Sequence, residues 1–374
     1  MSIYGDFPKF QEVTHPGQNN GKGDARALFM KLFAGEVLTM FRSQNMALGM
    51  TRVRTIAKGK AAEFPMVGMS KNAKYHKPGE LIQAGNIKHT SRTVTVDDVA
   101  VAAVFISEQD EDLNHFEVRS HYAREVAYDL ATMLDKNVFR IVAKAAFIDT
   151  LDKAKAQFGA DNVLEDEVFT ENMKLRATVD GQTLTRGQQI VDAIYRARTE
   201  FRKKNVPGVP VCVLRPEDYE ALTNAAGSLA NMAWLDANFR GQTTSDSGGS
   251  QGATGLRIGG IAIYESNHLP DQDESAGLVG SPEPLSVAEG GSGRTEAYRG
   301  DFSKLTGLIF TKDCAATVKV RDISLRWVPE PLRLGNTVLA KMFVGHNILR
   351  PACAIAILEA DAEVVAASGR SKSK

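Results

Sequence analysis

The chain has 374 residues, of which 43% are apolar and 24% charged, a balance typical of folded globular proteins and not of disordered ones. Its 45 basic residues are matched by 45 acidic ones, so no positive surplus favours tight binding to nucleic acid. The N-terminus lacks the features of a signal peptide, and the longest apolar run, Val99 to Ile106, is too short to span a bilayer. These properties predict a protein made in the cytoplasm of a cell, without contact to a membrane.

The first 58 residues are predicted to form an N-terminal arm. Residues 1 to 24 are rich in glycine, asparagine, glutamine and proline, which indicates a tail without structure of its own. A short helix with an apolar face follows over Leu28 to Phe41. Because so short a helix is unstable alone in water, this face must dock on another body.

Residues 59 to 98 read as an extended β-hairpin loop. Prolines and glycines interrupt the segment, and its apolar residues are scattered until the alternation Thr93-Val94-Thr95-Val96-Asp97, which is typical of a half-buried strand. No helix is available to cover such a hairpin. We therefore expect it to pack on something outside its own domain.

A long amphipathic helix is predicted directly after this loop. Asn114 and Glu117 form a capping-box pattern at its start. Apolar residues then recur at three- and four-residue steps from Val118 to about Ala146, without proline or glycine. At 1.5 Å per residue the helix is roughly 45–50 Å long. A rigid rod beside a projecting hairpin favours assembly through arms over an enclosed pocket.

The remainder predicts a second body of mixed helices and strands. Residues 149 to 180 are expected to form helix and hairpin pieces. Amphipathic spacing predicts a helix over Thr185 to Lys204, and Arg215-Pro216 begins another. The predicted strands are Val209–Leu214, Ile261–Tyr264, Ala316–Arg326 (beside the long helix) and Ala352–Leu358.

Two motifs superficially suggest enzymatic chemistry. Residues 17 to 22 resemble a phosphate-binding loop, but the glycine spacing is wrong and glycine follows Lys22. Ser247 and Ser250 lie in a glycine-rich stretch that fits a nucleophile pattern, and a serine hydrolase is the alternative function. A nucleophile needs a strand entering the turn and a held histidine, and this loop has neither signal.

No metal or cofactor site is predicted. His115 and His121 are six residues apart on the predicted helix and cannot share a metal. Asp271 and Asp273 imitate the start of a calcium loop, but the required glycine and glutamate are missing. The cysteines, three in all and widely separated, predict buried reduced thiols.

Two opposite charge runs remain. Arg52, Arg54, Lys58 and Lys60 form a basic run, and Glu108, Asp110, Glu111 and Asp112 form an acidic run. They are either solvated faces or partners across a subunit interface, where symmetry repeats weak contacts many times. The residues predicted to contact a neighbouring subunit are Arg52, Arg54, Lys60, Glu63, Glu80, Glu111 and Asp112.

Several blocks in order along the chain resemble the major capsid proteins of T7-like short-tailed bacteriophages. They are Leu28–Phe41, Gly59–Pro65, Pro78–Glu80, Ile87–Thr90, Asn114–Ser120, Val318–Asp322 and Ala340–Pro351. The resemblance implies an α+β fold of the HK97 type, with an N-terminal arm, an extended loop, a peripheral domain containing a spine helix, and an axial α/β domain. It divides the chain into 1–58 (arm), 59–98 (extended loop), 99–185 with 313–345 (peripheral domain), and 186–312 with 346–374 (axial domain).

The same resemblance implies the function and the partners. The chain would be a structural protein without catalytic activity that self-assembles into hexamers and pentamers of an icosahedral head. Its partners would be further copies of itself, a scaffolding protein, a portal at one vertex, and packaged double-stranded DNA bound without sequence specificity.

Overall fold

A computed structural model of the chain describes residues 46–68, 73, 75–79, 81, 87–109, 119–159, 162–163, 167–179, 182–228, 257–289 and 291–360. The helices are α1 (Ala47–Met50), α2 (Arg119–Phe147), α3 (Leu151–Phe158), α4 (Arg186–Lys203) and α5 (Pro216–Ser228). The first strands are β1 (Arg52–Thr55), β2 (Ala61–Val67), β3 (His89–Thr95), β4 (Ala100–Ser107), β5 (Met173–Lys174), β6 (Thr178–Val179) and β7 (Gln182–Thr183). The others are β8 (Val211–Leu214), β9 (Arg257–Ile258), β10 (Ile261–Glu265), β11 (Leu305–Phe310), β12 (Ala315–Glu330), β13 (Gly335–Ile348) and β14 (Ala354–Leu358).

The long helix α2 is the spine of the molecule. Its 29 residues confirm the predicted helix over the part that the structure describes, while the predicted cap at Asn114 and Glu117 lies outside the described residues. The predicted apolar stripe is buried from Val126 to Val142. Because the stripe is covered on both sides, the helix is held by packing and not by helix propensity alone.

A four-stranded sheet in the order β1-β12-β13-β4 covers one side of the spine helix. Strands β12 and β13 form a long antiparallel hairpin, and β1 joins β12 in parallel. Val338 on β13 pairs with Val104 on β4, and Ala340 pairs with Ala102. These side chains share one face of the sheet, and Ala102, Val104 and Ala340 belong to the hydrophobic cluster that packs on α2.

A six-stranded mixed sheet in the order β5-β14-β11-β8-β10-β9 covers the other side. Strand β14 shows how this sheet contributes side chains to two separate hydrophobic clusters. Ala354 and Ala356 face the cluster of the spine helix, while Ile355 and Ile357 face the cluster formed with helix α4. Alternate side chains point to opposite faces, so this sheet is buried between α2 and α4.

The structure confirms the predicted helix α4 and the beginning of α5, and it extends the return strand from Arg326 to Glu330. The pieces expected between residues 149 and 180 are the helix α3 and the small hairpin of β6 with β7. Strands β4, β11 and β13 were not predicted as strands. The predicted helix over Leu28 to Phe41 lies outside the described residues.

Candidate assembly site: the arm and its base

The arm, which we define as residues 59–98, has two unlike faces. Strands β2 and β3 pair antiparallel, with Ala62 opposite Val94 and Phe64 opposite Arg92. One face of this hairpin packs on the chain's own body. The buried cluster there comprises Ala62, Val94, Val96, Ala316, Val318 and Leu349. The hairpin was expected to pack on something outside its own segment, and this part packs on residues 316, 318 and 349 of the same chain. Alternation along both strands turns Ala62, Val94 and the buried Arg92 to this inward face.

The opposite face and the distal part of the arm are open. Glu63 and Val67 point outward from β2, and Tyr75 and Leu81 beyond it are almost fully exposed. Burial of such large apolar side chains would be favourable.

Arg294 fixes the base of the arm. Its Nη1 donates to the carbonyl oxygen of Thr95 and to Oδ1 of Asp97, the latter at 2.9 Å. Its Nη2 donates to the carbonyl oxygen of His346 on β13 at 2.7 Å. The hydroxyl of Tyr298 donates to the other oxygen of the Asp97 carboxylate. One guanidinium therefore joins the end of the arm to the neighbouring strand.

The electrostatics of this base follow from burial. Burial raises the pKa of Asp97 to about 6, although Arg294 and the Tyr298 hydrogen bond act in the opposite direction. Burial also lowers the pKa of His346 to about 3, so that ring is neutral at ordinary pH. Its Nδ1 lies 2.9 Å from Oγ1 of Thr317.

A glycine makes this close approach possible. A Cβ atom added at Gly345 on β13 would lie 2.1 Å from the carbonyl oxygen of Thr95 and 2.6 Å from Cα of Val96. Neither atom is the end of a flexible side chain, so any larger residue at Gly345 would push the arm away from the sheet.

The irregular segment 283–300 holds the base from outside. Asp98 accepts hydrogen bonds from the backbone N–H groups of Leu285 and Ser292, at 2.8 and 2.9 Å, and from the Ser292 hydroxyl. Lys144 of the spine helix donates to the carbonyl oxygens of Glu296 and Ala297, at 2.9 Å each. The arm base is thereby attached to the spine helix through this segment.

Arg92 holds the middle of the arm. Its Nη2 lies 3.0 and 3.3 Å from the two carboxylate oxygens of Glu167, and its Cζ lies 3.6 Å from the ring centroid of Phe158. The side chains of Arg92 and Glu167 are 3% and 8% exposed. Burial lowers the pKa of Arg92, and the Glu167 carboxylate offsets part of that effect. Nε and Nη1 of Arg92 are buried without a hydrogen-bond partner in the described part of the chain.

The body contains a more complete pair of the same kind. Arg140 of the spine helix donates to both oxygens of Glu274, at 2.6 and 2.9 Å. Its remaining donors reach Oδ1 of Asn137 and the carbonyl oxygen of Val279, both at 2.9 Å. This pair anchors the segment after β10 to the spine.

The structure places the predicted contact residues as follows. Arg52 donates through Nε to Asp313 at 2.6 Å, and Arg54 donates through Nη1 to the carbonyl oxygen of Glu63 at 3.0 Å. Lys60 and Glu63 are exposed. Glu80, Glu111 and Asp112 lie outside the described residues, as do Lys22, Ser247, Ser250 and His115. Contacts between subunits stay a prediction.

No metal-ligating group of three or more acidic, histidine or cysteine side chains occurs in the ranges that the structure describes. Asp273 instead accepts the N–H of Ser275 in a turn. Cys212, Cys314 and Cys353 are buried free thiols, as predicted. Among the described helices, none is both long and apolar enough to cross a membrane.

Sequence reasoning missed the residues that fix the arm. Arg294 and Tyr298 lie 197 and 201 positions from Asp97, so no local pattern connects them. The one local signal was Asp97-Asp98 directly after an alternating apolar run, because two acids at the end of a buried strand need partners.

Comparison with known proteins identifies what this arrangement belongs to. Residues 63–358 match the family described as Gp10A-like major capsid protein. The chain belongs to this major capsid protein family. It is 29% identical over 353 residues to the major capsid protein of Escherichia phage T7, covering 91% of this chain and 96% of that protein.

Solved structures agree. The capsid structure of the cyanophage P-SCSP1u is 29% identical, with a TM-score of 0.66 over 92% of this chain and 97% of that one. The mature capsid of bacteriophage PhiM1 is only 14% identical and shows the fold alone, with a TM-score of 0.62 over 89% of this chain and 92% of that one. The fold is α+β and of the HK97 capsid type, and the role of this family member is structural, in the shell of the virion.

Proposed function

We propose that this capsid protein assembles into hexamers and pentamers of an icosahedral head that encloses double-stranded DNA. Assembly takes place in the cytoplasm of the host bacterium with a scaffolding protein, and a portal occupies one vertex. The protein has no catalytic activity. We also propose a division into four parts: an N-terminal segment (1–58), the arm defined above (59–98, the extended loop), a peripheral domain (99–185 with 313–345) and an axial domain (186–312 with 346–374).

The exposed distal arm is the observation that carries this proposal. Tyr75 and Leu81 are solvent-exposed at the end of a hairpin whose base is firmly bonded to the body. The tip of the β12–β13 hairpin repeats the pattern, with Leu332 and Leu334 exposed. Projections with apolar ends and anchored bases suit contacts between identical subunits.

The charge runs give such contacts their register. Arg52, Arg54 and Lys60 lie on or beside the arm, and we propose that a neighbouring subunit supplies their acidic partners from Glu80, Glu111 and Asp112. We propose Glu63 as a further contact residue. Complementary charge contributes more to correct orientation than to affinity.

The test is expression of the full chain with and without a scaffolding protein from the same phage, followed by sedimentation and negative-stain microscopy. Closed, hollow particles are expected with scaffold. A variant with Tyr75→Ser and Leu81→Ser should remain folded by circular dichroism and form fewer closed particles. Closed shells at the parent's yield from this variant would show that the distal arm is not an assembly contact.

A further inference from the structure

The arm is seated on its own body by an incomplete contact. Arg92 uses one nitrogen for Glu167 and stacks on Phe158, while its Nε and Nη1 have no acceptor in the described residues. Buried donors without partners oppose burial, and they would be satisfied by water or by another acceptor if the arm moved.

A pocket beside this contact is a second, independent sign that the middle of the arm is held loosely on the body. It has a volume of about 90 Å³ and lies between Met66–Gly68 of the arm and Lys204–Pro207 of the body, with Arg350 also on its wall. The space is a pocket open to solvent and not an enclosed void, so the outer end of β2 borders solvent on this side although Met66 itself is buried. By contrast, the arm base packs fully, with Val94 and Val96 buried and Gly345 in close approach.

We propose that Arg92, Glu167 and Phe158 form a releasable latch that holds the middle of the arm on its own subunit, and that the latch opens when subunits assemble. This inference rests on the proposed function, because assembly supplies the neighbour that takes the arm. Release leaves the base attached through Arg294, so the base is the fixed end and the latched part is the moving end. Arg92 is a positioning residue that sets the direction of the arm.

The latch itself is tested on free subunits by hydrogen–deuterium exchange. Glu167→Gln removes the charge partner, and Phe158→Leu removes the aromatic face while keeping an apolar side chain. Each variant should increase amide exchange in β3 about tenfold. Phe158→Leu removes a desolvated guanidinium–aromatic contact and Glu167→Gln weakens charge-assisted hydrogen bonds, and both interactions are of that strength. Exchange in the spine helix should not change. Asp313→Asn, which removes the charge that pairs with the exposed Arg52, is the matched control and should leave β3 unaffected. Parent-like exchange of β3 in both latch variants would overturn the proposal.

The release step is tested by cross-linking. Lys88 pairs through its backbone with Gly68, and Gly68 lines the pocket together with Lys204, so a short amine-reactive reagent should join the two lysines. Shells are assembled from a mixture of isotopically light and heavy subunits. Free subunits should give only links within one subunit, and shells should lose these links or give mixed ones.

Links within one subunit that persist unchanged in shells would overturn the release step, and their absence in free subunits would overturn the latch. If the parent chain forms no particles at all, the proposed function and the release step fail together. The exchange measurement on free subunits still decides the latch in that case.

Discussion

The spine of the molecule and its arm each contain a buried arginine–glutamate pair, and the two pairs differ in how completely they are satisfied. Arg140 makes two bonds to Glu274, and its other donors reach Asn137 and the Val279 carbonyl oxygen. Arg92 makes its bonds to Glu167 through one nitrogen and leaves two buried nitrogens without acceptors. Both guanidiniums incur a desolvation penalty, and Arg140 offsets more of it, because each of its three nitrogens has an acceptor.

The difference in hydrogen bonding separates a permanent contact, Arg140 with Glu274, from one that can open, Arg92 with Glu167. A saturated buried pair is lost only when the core opens, because every released donor would need a new partner inside the protein. A half-satisfied pair gains hydrogen bonds on opening. The sequence contains an arginine in both places, so residue type alone does not distinguish the anchor from the latch.

The largest effect is expected for the anchor. Arg140→Met leaves the Glu274 carboxylate buried without its cation, and breaking one side of a buried pair costs about 3–5 kcal/mol. The free energy of unfolding in urea should fall by that amount, or the protein should become insoluble. Arg333→Met, which ends the exposed pair with Glu330, is the control and should change it by less than about 1 kcal/mol. An unchanged urea midpoint for Arg140→Met would mean that the anchor does not stabilise the body.

A smaller loss of stability is expected from removing apolar side chains, and it should differ between the spine core and the arm. Leu134 is buried in the spine core, and Leu134→Ala should lower the free energy of unfolding by about 2–5 kcal/mol. Val94 is equally buried, but in the cluster under the arm. Val94→Ala removes about 2 kcal/mol of burial, and it should appear as faster amide exchange in β2 and β3 with little change of the urea midpoint. Equal shifts of the midpoint in both variants would show that the arm and the body unfold as one unit.

The two regions also differ in what could be predicted from the sequence. Helices α2 and α4 were found because their apolar residues repeat every three or four positions over many turns. Strand β13 was missed because Leu339 and Phe343 place apolar side chains on the face opposite to Val338 and Ala340, which removes the alternation. Strand β11 is buried along its whole length and contains Gly307, where a Cβ atom would lie 2.5 Å from Leu214. A continuous apolar run with a glycine carries no periodic signal.

The functional features of the arm depend on distant partners. Its extended character was predicted from prolines, glycines and one alternating run, but the latch joins Arg92 to Glu167 and the base joins Asp97 to Arg294, across 75 and 197 positions. Pairings at such separations follow from the completed fold and not from local pattern. The resemblance to phage capsid proteins supplied the family, which composition and periodicity did not.

A pH dependence is expected at the arm base. The pKa of Asp97 in the folded protein is about 6, above the 3.8 of a solvated aspartate, so the closed base binds this proton more tightly than an open base does. The resulting stabilisation is full below pH about 4 and is lost as the pH rises through 6. The other charged or titratable groups around it are Arg294, Tyr298, Asp98 and His346, and the histidine stays neutral throughout this range.

The measurement is amide exchange around residues 94–98 at pH 5 and pH 7.5, corrected for the intrinsic rate. Protection should be greater at pH 5 in the parent and nearly independent of pH in Asp97→Asn. Asp301→Asn, at an exposed turn, should retain the parent's dependence. A dependence that survives in Asp97→Asn would assign the titration to another group.

The smallest effect on folding, and the most informative for assembly, is expected at the exposed basic run. The side chain of Arg52 is 58% exposed in its pair with Asp313, and such exposed pairs contribute about 0–1 kcal/mol to stability. The Arg52→Glu, Arg54→Glu double variant should therefore unfold close to the parent's urea midpoint. Assembly should nevertheless fail, because a shell repeats each contact many times and the reversed charges add repulsion at every one. Sedimentation should show free subunits in place of particles, and adding Glu111→Lys and Asp112→Lys should restore the particles. Undiminished particle yield in the double variant would mean that these arginines serve only Asp313 and the Glu63 carbonyl oxygen within their own subunit. If the fourfold variant does not form particles, the acidic partner lies elsewhere than residues 111 and 112.

The parent's assembly should weaken as the salt concentration rises, since contacts between exposed charges are screened beyond roughly 8–10 Å at physiological ionic strength. The buried Arg92 and Arg140 pairs should not respond to salt.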